Sequence, residues 1–157
     1  MMWNSDKSIT LSLVCTKIVI VLVILFAGLM TFVHFSEDNR LKSLIIGMGN
    51  RFDTVFFLVF IYVCCAIALV ALFFLHKILS RIRVGNVFVE ENVQALRKIS
   101  WLCFAVTSVL VTGGLYVGGY DFLLVGLMAA FVGLILRVVK NVFAAAVEIK
   151  MENDYTV

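Results

Sequence analysis

The side chains of this 157-residue chain that could move a proton, hold a metal or attack a bond are its carboxylates, two histidines and four cysteines. Their placement argues against all three chemistries. Asp6, Glu37, Asp38, Asp53, Glu90, Glu91, Asp121, Glu148, Glu152 and Asp154 all fall outside the middles of the long apolar runs. Ion-coupled sites and proton relays use carboxylates or histidines at membrane depth, and here the carboxylates keep to the margins. His34 and His76 stand at the ends of runs and read as interfacial side chains rather than metal ligands. Cys15, Cys64, Cys65 and Cys103 lie inside or at the edge of apolar runs and read as small packing residues. The adjacent Cys64 and Cys65 point two ways around a helix and make a poor chelate. No nucleophile with a positioned base can be assembled. The expectation is therefore no catalytic residue, no metal, no cofactor and no enzyme.

The elements that carry these residues are set by hydropathy. The chain is 63% hydrophobic and 15% charged, with a mean hydropathy of +1.11. Soluble domains run near 45–50% apolar and about 25% charged. Four apolar runs cover residues 11–33, 56–75, 101–117 and 122–136. A hydrocarbon core of about 30 Å takes about 20 residues of helix. The first two runs meet that length and the last two sit at its lower edge. The reading is an all-α membrane protein: a single domain, 1–157, of four transmembrane helices in an up-down bundle, with spans at 11–33, 54–77, 99–117 and 121–143. The first run is too long for a signal peptide and lacks a small-residue cleavage site after it, so it reads as a retained span.

Net charge is +3, but its distribution says more than its size. Every Lys and Arg except Arg40, Lys42 and Arg51 falls at the termini, in the second loop or at the ends of spans on that side. Basic loops stay in the cytoplasm, which predicts both termini and the second loop inside. Trp3 is a candidate interfacial anchor, and Lys17 can snorkel to the headgroups. The segment 35–53 is the one outward stretch long enough to meet an external ligand. The chain has no proline, and only Gly113-Gly114 could loosen a span.

Small residues recur at helix-contact spacing: Gly114 with Gly118, Gly126 with Ala130, Ala129 with Gly133. Such spacing lets helices approach closely in lipid. Packing of the third span on the fourth is the plainer account, and self-association into a homo-oligomer the sharper one. In the second loop, Phe88, Asn92, Leu96 and Ile99 form one helical stripe, read as a short cytoplasmic amphipathic helix between spans two and three. Glu90 and Glu91 suit its first turn. Arg97 and Lys98 fall opposite the stripe, where they can reach phosphates. Asn92 is the odd member; it either ties down loose carbonyls after span two or contacts the tail. In the tail, Glu148, Glu152 and Asp154 could pair with Arg81, Arg83, Arg97 or Lys98, each such pair being worth about 0–1 kcal/mol. These charged residues, with Phe88 and Asn92, are the candidates for contact with a partner.

Three motifs carry a family resemblance. They are Gly85, Phe88, Asn92, Val93, Leu96, Arg97 and Ile99 in the loop; Arg137, Lys140, Asn141 and Phe143 after the fourth run; and the closing Glu152, Asn153, Asp154, Thr156 and Val157. Over nearly the whole chain, in four-span layout, the sequence resembles the YoaS-like small bacterial membrane proteins, a domain of unknown function. Val89 stands where that pattern has Ser or Thr, which removes a side-chain cap from the loop helix. The resemblance implies a bacterial cytoplasmic membrane. It also implies a signalling or stress setting, because members are often encoded beside a small Cro/C1-type helix-turn-helix repressor. The leading expectation is a regulatory or sensory protein that offers 81–98 and the tail to such a cytoplasmic regulator, with no direct nucleic-acid contact. A second is immunity against membrane-active peptides through segment 37–51. A third is an oligomeric pore, with Thr107, Ser108 and Thr112 near one face of span three.

Overall fold

The computed structural model describes residues 5–36, 54–117 and 120–155. Trp3, the segment 37–51, Gly118 and the side chain of Asp154 lie outside the described residues. Among the described residues there are four helices: α1 Ser5–Phe35, α2 Thr54–Arg83, α3 Glu90–Val117 and α4 Tyr120–Tyr155. Each is long and apolar enough to cross a membrane, so the chain has the make-up of a multi-pass membrane protein.

All four helices outrun the apolar count. α4 has 36 residues, about 54 Å at 1.5 Å per residue, against a hydrocarbon core of about 30 Å. The physical reason is that backbone hydrogen bonding continues into water after the apolar side chains stop. The same effect corrects the loop reading. The expected short amphipathic helix is not a separate element: its residues form the first turns of α3, which runs unbroken from Glu90 to Val117. Nor do Gly113 and Gly114 interrupt a span. Both are buried within α3, and a side chain at Gly113 would collide with the Phe60 ring.

α2 and α3 run antiparallel. Phe60 of α2 lies at Gly113 and Phe74 lies at Lys98, so numbers rise along one helix as they fall along the other. Between α3 and α4 the same holds: Ser100 meets Gly133, and Thr107 meets Gly126. Ser100 Oγ donates to the Gly133 carbonyl at 2.9 Å, and Thr107 Oγ1 donates to the Gly126 carbonyl at 3.1 Å. Hydrogen bonds of this kind average about 0.6 kcal/mol in membranes, so close packing carries much of the contact. A Cβ at Gly133 would sit 3.1 Å from Cys103 Cβ, and one at Gly126 would sit 3.4 Å from Leu110 Cβ. These two glycines thus serve packing within one chain. Ala129 and Ala130 are half-buried on the same helix, and Gly114 is buried on α3.

Among the described helices, α1 lies against α2 alone, α2 against α1 and α3, and α3 against α2 and α4. The backbones therefore form an open row. Side chains close part of it: Phe60 stacks edge-on against Phe122, and Phe88 lies at 5.7 Å from Phe143. A tight apolar cluster of Ile78, Ala95, Leu96 and Ile99 joins α2, α3 and α4 at the end where the 84–89 loop lies. α1 takes no part in it. A polar contact joins it to α2, from the Thr31 hydroxyl to the Tyr62 hydroxyl.

Candidate functional site

The loop end is where charge, burial and hydrogen bonding converge. α2 closes with a basic last turn containing Arg81 and Arg83. The chain then turns at Gly85, whose φ of +89° is a left-handed conformation that side-chain-bearing residues rarely adopt. Three amides reach back to the end of α2: Val84 N–H and Asn86 N–H donate to Arg81 O, and Gly85 N–H donates to Ile82 O. This satisfies carbonyls that a helix end leaves open.

Asn92 locks the turn. It is fully buried, and its Nδ2 donates to the carbonyls of Asn86 at 3.0 Å and Val87 at 2.9 Å. The Arg81 guanidinium lies 3.5 Å from Asn92 Oδ1. The first of the two roles open to Asn92 in the sequence is the one observed: it holds the free carbonyls after α2. With Val93, also fully buried, it seats the start of α3 beneath the loop. The loop is accordingly a shaped surface held by a buried polar side chain.

The candidate partner residues separate into groups. Arg83 is exposed, Arg81 half-buried and Phe88 exposed. Phe88 meets the tail through Phe143 of α4. Among the described residues, Glu148 makes no ion pair with Arg81, Arg83, Arg97 or Lys98; the loop and α4 are joined here by aromatic contact. Glu148 and Glu152 are exposed. Arg97 and Lys98 do not act as one patch. Lys98 Nζ lies 5.1 Å from the centre of the Phe74 ring on α2, whereas Arg97 borders a recess on the α4 side. Adjacent helical positions diverge by about 100°, so α3, seated between two helices, sends one cation to each neighbour.

That recess was not legible as a site in the sequence. It has a volume of about 170 Å³ and is lined by Arg97, Ser100 and Trp101 of α3 and by Arg137 and Lys140 of α4. The Arg137 guanidinium lies 5.2 Å from the Trp101 ring centre and 5.6 Å from that of Phe104. The signal available beforehand was the pair Arg137 and Lys140, one turn apart; what sequence could not supply was their register against Arg97.

Of the three polar residues considered for a pore, Thr107 has one hydroxyl proton, shared between the Gly126 carbonyl and Cys103 O within its own helix. Thr112 donates to Ser108 O. Ser108 and Thr112 border an apolar groove shared with Phe56, Val59 and Phe60. Among the described residues no group of three His, Cys, Asp or Glu could hold a metal ion.

A family model described as "Protein of unknown function (DUF2975)" matches residues 51–157. No curated protein and no solved structure matches the chain. The match covers α2, α3 and α4, the three helices that share the apolar cluster, and leaves out α1, which among the described helices lies against α2 alone. The chain belongs to this family of unknown function.

Proposed function

We propose that this family member is a non-enzymatic protein of the bacterial cytoplasmic membrane whose inner end docks a soluble regulatory partner. In this reading the helices thread up and down, both termini lie inside, and the 84–89 loop with the neighbouring helix ends is the docking face. A small helix-turn-helix repressor is the candidate partner. The observation that carries the reading is Asn92. A linker between two spans needs no buried amide, yet this one is held by two hydrogen bonds from a fully buried side chain. Burial of a polar group is tolerated when its hydrogen bonds are made, and the result is a fixed outer surface. That surface is basic and open: Arg83 and Val84 are exposed beside the turn. The basic bias of the loop supports the inside placement.

The test is a photo-crosslinking residue at Val84 in native membranes, with and without Arg83→Glu and Lys98→Glu. A discrete adduct with a soluble protein is expected from the native surface. The charge reversals should remove it while membrane insertion persists. An adduct unchanged by the reversals, or crosslinks to lipid alone, would overturn the docking role.

A further inference from the structure

We infer that the recess between α3 and α4 binds the phosphate of an anionic phospholipid headgroup. Three cations from two helices border one small space: Arg97 on α3, with Arg137 and Lys140 on α4. Among the described residues, no Asp or Glu lines it. The acidic residues nearest along the chain, Glu91 and Glu148, are about two turns away. Like charges placed together without a counter-ion repel, and an anion in the recess relieves that repulsion.

The geometry favours phosphate recognition over loose surface attraction. The Arg137 guanidinium lies over the Trp101 and Phe104 rings. Contact with two rings restrains the guanidinium, and its planar fork of N–H groups suits the paired oxygens of a phosphate. Ser100 commits its hydroxyl proton to the Gly133 carbonyl, so the three cations and the Trp101 indole N–H are the donors left to an anion. Ser100 instead holds α3 against α4 at the floor of the recess, which fixes the spacing of Arg97 from Arg137.

Position selects lipid as the source of the phosphate. Arg137 lies about 26 Å along α4 from Tyr120, close to the thickness of a hydrocarbon core. Trp101 sits at the same level and is exposed, as tryptophans at the headgroup boundary are. The outer flanks of α4, such as Leu127 and Phe131, are exposed apolar surface suited to acyl chains. A basic pocket between spans at this depth is the usual setting for an anionic headgroup. The inference is independent of any soluble partner, because the recess opens on the α3–α4 side.

Trp101 supplies the readout. With Trp3→Phe it is the one tryptophan of the full chain, and its quenching by nitroxide-labelled lipids in vesicles reports which lipid occupies the recess. Labelled phosphatidylglycerol should quench Trp101 more strongly than labelled phosphatidylcholine. Arg137→Gln with Lys140→Gln should lower that preference by roughly fivefold per cation removed. Lys77→Gln with Lys150→Gln removes the same net charge elsewhere and should leave the preference in place. Arg137→Lys keeps the charge but lacks the planar fork; partial loss is expected, and it replaces Arg137→Gln if that variant does not insert. Equal preference in the native and recess-variant proteins would overturn the site. Inorganic phosphate that displaces labelled phosphatidylglycerol at millimolar concentration would overturn the lipid assignment and give the recess to a soluble phosphate.

Discussion

Replacing Asn92 with Asp tests whether the loop is held as described, because it changes hydrogen-bonding sense at nearly constant volume. Asn92 Nδ2 donates to Asn86 O at 3.0 Å and Val87 O at 2.9 Å. A net hydrogen bond contributes about 1 kcal/mol. The carboxylate keeps the Oδ1 that faces Arg81 but puts a second acceptor against both carbonyls. Two bonds are lost, and an acceptor-to-acceptor clash is added and partly relieved by the Arg81 guanidinium, 3.5 Å from Oδ1. The cost is about 2–3 kcal/mol, borne by the loop. At 1.4 kcal/mol per tenfold, local opening rises roughly thirty- to hundredfold or somewhat more. The amides of Val84, Gly85, Asn86 and Val87 are all hydrogen-bonded in the turn, which makes them reporters. Hydrogen exchange on the full chain in lipid nanodiscs should show those amides losing protection while the α3 interior keeps its own. Arg83→Gln, on an exposed side chain, should leave them protected. If Asn92→Asp leaves exchange at 84–87 unchanged, the buried amide is not what shapes the loop.

Two further predictions concern glycines. Gly133→Val forces a branched side chain against Cys103 Cβ and the Ser100 carbonyl, 3.1 and 3.4 Å from the added Cβ; it should destabilise the α3–α4 pair by about 1–3 kcal/mol. Gly126→Ala meets only ordinary contacts at 3.4 Å and beyond and should stay within about 0.5 kcal/mol of native; equal unfolding midpoints for the two would refute the register. Gly85→Ala finds open space but a φ of +89°, so its cost of about 1–2 kcal/mol is conformational. Gly28→Ala, also in open space but within α1, should be neutral or stabilising by up to about 1 kcal/mol. Thermal midpoints in one detergent rank them, and Gly85→Ala as stable as Gly28→Ala would remove the strained turn from the argument.

Much of the architecture was legible because lipid imposes a simple length rule. The four runs named the four helices. Asn92 stood out as a polar residue on an apolar stripe, and the structure uses it for one of the two jobs its position allowed. Gly126 and Gly133 announced close approach by their spacing with Ala130 and Ala129. Other features had no local signal. A helix carries on after hydropathy ends, so the start of α3 looked like a separate short helix. Arg97 and Lys98 looked like one patch because their neighbours were unknown, and only the seating of α3 between α2 and α4 parts them. Arg137 and Lys140 are forty residues from Arg97, and no periodicity connects them across two helices.

The attachment of α1 has a mechanical consequence. Among the described residues it touches the rest of the molecule along a single seam with α2, and its far flank carries Leu25, Leu29 and Phe32 as bare hydrocarbon. Peeling that helix aside costs one contact face and leaves the cluster around Leu96 whole. The described molecule thus has a line of sideways parting between its first segment and the three helices that share the cluster.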